Sequence, residues 1–174
     1  MKASVQAAVN TPVEDLERNI LSSVERVPIY DGRKMAWGGT AAICGSGPSL
    51  PSMLGPVGWC DKNPKIAVFA IKGAHDFLIE NEIIPDVMVM MDAKPDQVRY
   101  VKNPNPDVEY WIATQCDPSV FTALEGQNVI GWHGAGVTAP VSGRYVGGGR
   151  STGVRSIGLA ASLGFTILHF FGCD

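Results

Sequence analysis

The stretch AAICGSGPSL, residues 41–50, decides how this chain is read: a short apolar run breaks off abruptly into glycine, serine and proline. Ile43 and Cys44 carry strand character. Gly45 and Gly47 have no side chain to keep a ligand from backbone N–H groups or to forbid positive φ, and Ser46 and Ser49 add hydroxyl donors. Pro48, with its fixed φ and no N–H, suits the first turn of a following helix, whose N-terminus attracts anions. The stretch is neither GxGxxG nor a GK[ST] loop. It reads as a strand delivering a phosphate-binding turn, against the plainer alternative of an ordinary glycine turn.

Outward from that turn, continuous apolar runs recur at Ile66–Ile71, Val87–Met91, Tyr110–Thr114, Asn128–Trp132 and Thr166–Phe171. Unbroken runs suit strands buried on both faces, and the intervals leave room for crossovers, so the expected architecture is α/β with a mainly parallel sheet. Phe77, Leu78 and the stop at Pro85 predict a helix over Ala74–Glu82, and Ser151–Leu163 predicts a small-residue helix closed by Gly164. Upstream, Thr11 as N-cap, Pro12 at the first helical position and Glu14 predict a helix over Thr11–Val27. Its stripe of Val13, Leu16, Ile20 and Val24 would pack on the body as an accessory element. Residues 1–39 therefore read as a helical extension and 40–174 as the main domain. Asn103–Asp107 and Ala135–Gly149 read as loops. The apolar run TILHFFGCD ends at Asp174, which raises the expectation of a chain that continues.

The 174 residues are 45% hydrophobic and 18% charged, with net charge −3, enough for a sizeable core and contrary to a basic nucleic-acid footprint. No apolar stretch approaches a membrane span and MKASVQAAVN has no secretion-signal core, so a cytoplasmic location is expected. Cys44, Cys60, Cys116 and Cys173 stand far apart without CxxC or metal spacing, as for reduced thiols, and no metal ligand is assigned.

In open parallel sheets ligands bind beyond the carboxyl ends of the strands. That rule collects Gly45–Ser49, Lys72 with Gly73, Asp92–Lys94, Gln115–Asp117, His133 with Gly134, and Cys173 with Asp174. Asp92, at the tip of VMVMM, suits a cation or a hydroxyl, or else caps a turn; His133, among glycines, suits acid–base work, or else is structural. These two are the candidate catalytic residues. Lys72 and Lys94 are candidate phosphate cations. His75 and His169 read as structural, and Asp96 and Asp117 as caps. A second glycine segment, GGGRSTG (147–153), precedes the last helix and offers Ser151, Thr152 and Gly153 to an anion, with Arg150 and Arg155 in support.

In that order, ICGSGPSL, KGAHDFLIENEIIPDVMVMMD and GGGRSTGVRSIGLAASLGFTILHFFGCD resemble the MptE-like domain family. That family includes archaeal 6-hydroxymethylpterin diphosphokinases and motility accessory factors tied to flagellin glycosylation. The first and last segments are also similar to bacterial CMP-sialic-acid-dependent sialyltransferases. The resemblance implies a Rossmann-like three-layer α/β/α fold. It also implies a nucleotide or nucleotide-sugar held by Gly45, Ser46, Gly47, Ser49, Ser151, Thr152 and Gly153. The implied function is glycosyl transfer from a CMP-sugar-like donor to a glycan or protein acceptor. The alternatives are ATP-dependent diphosphoryl transfer to a pterin, the one case calling for Mg²⁺, and a non-catalytic nucleotide-binding module. Gly47→Val is expected to block the nucleotide by steric intrusion while leaving the fold intact.

Overall fold

The computed structural model describes residues 11–32, 39–134 and 142–174. The expected 135–149 loop therefore falls partly outside the described residues. Strands β1 (Thr40–Cys44), β2 (Ile66–Ile71), β3 (Val87–Met90), β4 (Glu109–Ala113), β5 (Asn128–Gly134), β6 (Tyr145–Val146) and β7 (Ile167–Phe171) form one sheet, ordered β6-β5-β4-β3-β2-β1-β7. Every neighbouring pair is parallel. The helices are α1 (Val13–Val24), α2 (Leu54–Asp61), α3 (Ala74–Glu80), α4 (Pro118–Ala123) and α5 (Thr152–Leu163). The chain builds outward from β1 to β6, then returns through α5 to lay β7 against the free edge of β1. This is a Rossmann-like α/β fold, and its reversal in strand order falls between β1 and β7.

The pleat sorts the core into two layers. Ala42, Cys44, Val68 and Ala70 face Val57 and Cys60 of α2 and Ala74 and Leu78 of α3. Ala41, Ile43, Ala67 and Phe69 face the other way, toward Leu159, Ala160 and Leu163 of α5. There Phe165 meets Phe69 edge-on, centroids 5.3 Å apart. The last helix begins and ends as its sequence predicts: the Ser151 hydroxyl accepts from the Val154 N–H, and Gly164 closes it at φ 104°.

Four local expectations need correction. First, α1 starts at Val13 with no side-chain cap; Pro12, extended at ψ 147°, stands at the cap position and offers its carbonyl to the Leu16 N–H. Second, Pro48 does not open a helix. The chain makes a 3₁₀ turn over Leu50–Met53 before α2 begins at Leu54, so no α-helical N-terminus starts at the glycine turn. Third, β6 forms within the expected loop; the helix expected after the glycine turn is α2, held although Gly55, Pro56 and Gly58 are poor helix residues because Val57 and Cys60 are buried against the sheet. Fourth, β7 is not buried on both faces. It is an edge strand with Ile167, His169 and Phe170 exposed, so His169 is a surface residue.

Candidate functional site at the carboxyl edge of the sheet

The 45–49 turn lies at the topological switch, beyond the carboxyl end of β1, from which the chain order runs to β2 on one side and β7 on the other. Its geometry revises the reason for its glycines. The Gly45 N–H donates to the Phe171 carbonyl and the Gly47 N–H to the Gly172 carbonyl, each at 2.8 Å. A Cβ on Gly45 would run into the Gly172 carbonyl, and one on Gly47 would lie 2.6 Å from Asp174 Oδ1 and 2.8 Å from the Gly172 oxygen. Gly172, at φ 58°, presses back against the Gly45 carbonyl. These glycines admit the main chain after β7, and two of the N–H groups expected to cradle phosphate are spent on it. Gly47→Val would therefore displace residues 172–174 as well as intrude on a ligand. The Ser49 hydroxyl donates to Asp174 Oδ1 at 2.5 Å, which holds that carboxyl below its ordinary range. Ser46 keeps its hydroxyl outside this network.

Next along the edge, Lys72 closes β2 in a left-handed backbone, φ 50°, which a non-glycine residue seldom adopts. Its Nζ pairs with Asp92 Oδ2, beyond the end of β3, at 3.0 Å. A Cβ on Gly73 would sit 3.2 Å from the Tyr100 ring and 3.5 Å from Ser46 Cβ. The loops after β1 and β2 and the 3₁₀ turn Pro95–Tyr100 thus meet at this point. Arg99, stacked 4.8 Å over Tyr100 and paired with Asp96, adds a second cation at the rim. Beneath lies Cys116, its thiol pushed up by burial first and by the Asp92 carboxylate second. Cys44, raised to about 12 by burial, is likewise an inert core thiol.

The other half of the edge is organised differently. α1 lies over the carboxyl ends of β3 and β4. Asn19 Nδ2 donates to the Ala93 and Gln115 carbonyls at 3.4 and 3.1 Å, and the Ser23 hydroxyl to that of Thr114 at 2.9 Å. Nothing in the hydrophobic periodicity marks these two polar residues, because they lie beside the apolar stripe. That stripe is only partly used: Ile20 is buried while Val13 is exposed.

His133 is buried, and both its ring nitrogens are engaged. Nε2 donates to the Ser142 carbonyl at 3.0 Å, so Nδ1, 2.8 Å from Thr114 Oγ1, accepts from that hydroxyl. Both nitrogens thus find their partners inside the protein. Ser151, Thr152 and Gly153 follow β6, the strand at the opposite end of the sheet from β7, and open α5. Arg155, expected to assist an anion, is 7% exposed and instead ties the glycine loop down, with Nε to the Gly149 carbonyl at 2.9 Å and Nη1 to that of Val146 at 2.7 Å. Asp117 caps α4 through the Ser119 N–H as expected, and His75 is buried between Asp76 and Tyr110. The carboxyl edge thus brings together Gly45–Ser49, Lys72, Gly73, Asp92 and Asp174, while His133 lies near the end of β5 and Ser151–Gly153 open α5 after β6.

The family model described as 6-hydroxymethylpterin diphosphokinase MptE-like matches residues 14–174. The chain belongs to the MptE-like family. No curated protein matches it by sequence. Among solved structures it is similar to the MAf glycosyltransferase from Magnetospirillum magneticum AMB-1, with TM-score 0.75 and 18% identity over 97% of this chain. This MptE-like chain spans 28% of the length of that protein, and at such identity the likeness speaks for the fold. The family match takes in both glycine segments, the Lys72–Asp92 pair and α1 from its second residue onward. Among the described residues no helix is long and apolar enough to cross a membrane.

Proposed function

We propose that this MptE-like chain is a nucleotide-dependent transferase that moves a glycosyl group from a nucleotide-sugar donor, CMP-sugar-like, to a glycan or protein acceptor. The observation that carries the reading is the meeting of Ser46, Lys72 and Asp92 at the switch between β1 and β7. The solved glycosyltransferase of the same fold supports it. The donor phosphate sits at Ser46 and Lys72 Nζ. The Asp92 carboxylate takes the proton of the acceptor hydroxyl as its oxygen attacks the anomeric carbon. The bond from that carbon to the phosphate oxygen breaks, and the nucleotide leaves with its negative charge met by Lys72. Asp92 fits the base role better than His133, whose nitrogens are both occupied. Ser151, Thr152 and Gly153 are assigned to the far end of the donor, so the two glycine segments serve two ends of one ligand.

The family description favours a second reading, ATP-dependent diphosphoryl transfer to a pterin, in which a carboxylate such as Asp92 would hold Mg²⁺ and the ion would offset phosphate charge. It requires rearrangement. Asp92 is paired with Lys72, Asp96 with Arg99, Asp117 with Ser119 and Asp174 with Ser49. Melting the protein with CMP, CDP, UDP, GDP or ATP, with and without Mg²⁺, separates the two readings, because a ligand bound by the folded state raises Tm. A shift with CMP and no metal is expected. A shift with ATP and Mg²⁺ alone overturns the glycosyl reading in favour of the diphosphokinase, and nucleotide binding with no turnover leaves a binding module.

A further inference from the structure

Below α2 and α3, where the chain leads toward β2 and β3, the structure holds an open cavity of about 510 Å³. This is the amino edge of the sheet, opposite the Lys72–Asp92 pair. One wall is α2, bare because of two glycines: a Cβ on Gly55 would meet nothing within 4 Å, and one on Gly58 only Ile83 Cδ1 at 3.7 Å. Leu54 and Ile83 give an apolar floor. Trp59 stands beside it, 65% exposed, more than any other large hydrophobic residue described. Its indole covers no core.

The remaining lining is polar and rich in acceptors: Asp61, Asn81 and Glu82. The Asp61 carboxyl is pushed up by burial. Asn81 spends its Nδ2 on the Phe77 carbonyl at 2.8 Å, which leaves Oδ1 as an acceptor. Glu82, at φ 61°, is the left-handed residue that closes α3, with the Ile83 N–H returning to the Leu78 carbonyl at 3.0 Å. Protein interfaces enrich tryptophan but deplete Asp and Glu at their centres, so this mixture does not suit a protein partner. A phosphate finds one lysine, Lys62, against two carboxylates. A pyranose ring fits both halves of the wall: its C–H face is apolar and stacks on an aromatic platform, while its equatorial hydroxyls donate to carboxylates and amide oxygens.

We propose that this groove binds a hexopyranose unit, with Trp59 as the stacking platform and Asp61, Asn81 and Glu82 as hydroxyl acceptors. As a docking site for the acceptor glycan it rests on the transferase reading; as a sugar site it stands alone. The test uses the whole chain labelled with ¹⁵N, titrated with maltotriose, chitotriose and N-acetyllactosamine while the tryptophan indole N–H signals are followed. The signal missing from Trp59→Phe is expected to shift saturably with at least one sugar. Trp59→Ala is expected to weaken that binding at least about tenfold. Gly55→Leu, for which the structure has room, is expected to fill the groove and abolish binding while Tm is unchanged. No shift of the Trp59 signal with any of the three at millimolar concentration overturns the proposal. So does unchanged affinity in both variants, or a concentration-dependent dimer that Trp59→Ala dissolves. Sugar binding without any nucleotide-induced rise in Tm leaves the groove standing and the transferase reading refuted; the converse result does the reverse.

Discussion

The turn at residues 45–49 is closed by main chain arriving from another strand, whereas the loop at 147–153 is closed by one side chain of the helix that follows it. In the first, Gly45 and Gly47 exist because Gly172 and Asp174 pass too close for a Cβ. In the second, Arg155 reaches back to the Val146 and Gly149 carbonyls, and Gly153 has open space beyond its Cα, with only Ser151 Oγ at 4.0 Å. Two stretches of similar composition therefore differ in what a mutation does. A residue at the switch couples β1 to β7, and a residue in the far loop acts locally.

The largest expected effect is at the switch. Gly45→Val should destabilise the fold by more than about 3 kcal/mol, while Gly153→Ala should change it by less than about 0.5 kcal/mol. Equal melting temperatures for the two variants would remove the distinction. Next, Asp92→Asn should lower transfer about a hundredfold or more with little loss of stability, since a half-exposed ion pair contributes about 1 kcal/mol or less. Single-turnover rates and thermal melts measure the two separately, and an active Asp92→Asn sinks the base assignment. A smaller effect belongs to Arg155→Met, which strands two carbonyls and should cost about 1–3 kcal/mol. Hydrogen exchange should then speed up over 147–153 and not over 45–49. The smallest is acid loosening of the switch turn. Asp174 has its folded pKa lowered below 3.8, first by the Ser49 hydroxyl, so the stability it contributes is present above that value and lost as pH falls through the folded one. Exchange at Gly47 and Ser49 should rise in that window in the wild type, and the increment should vanish in Ser49→Ala.

Much of the fold was legible in the residues. Continuous runs such as VMVMM and IAVFAI announced strands covered on both faces, and β2 runs from Ile66 to Ile71 as read. Ser151 and Gly164 marked both ends of α5 because capping is a matter of adjacent atoms. The helix expected from Pro48 is present as α2, but it starts only at Leu54, after a 3₁₀ turn, because a proline's fixed φ suits a helical first turn without requiring one there. β6 escaped because two residues carry no period. At the site, the rule that ligands gather at strand ends picked out Lys72 and Asp92, which the structure pairs at 3.0 Å. It also picked out His133, and there the neighbouring glycines misled: they made the ring look accessible, while Thr114 and Ser142, distant in the chain or unremarkable in type, enclose it. Asn19 and Ser23 gave no signal, since a polar residue on a helix reads as solvated until something is placed against it.

What the sequence determined by itself is local: which segments are apolar enough to be strands, where α5 begins and ends, and that two turns lack side chains. What only the tertiary structure decided is which strand lies beside which. That order puts Gly172 against Gly45, sets the 45–49 turn at the reversal of the sheet and carries the 147–153 loop to its far side. Periodicity and capping act over a few residues, whereas strand order is set by pairings more than a hundred residues apart, such as Cys44 with Phe171. The glycines of AAICGSGPSL were visible from the start, but the backbone they make room for became visible only once β7 was in place.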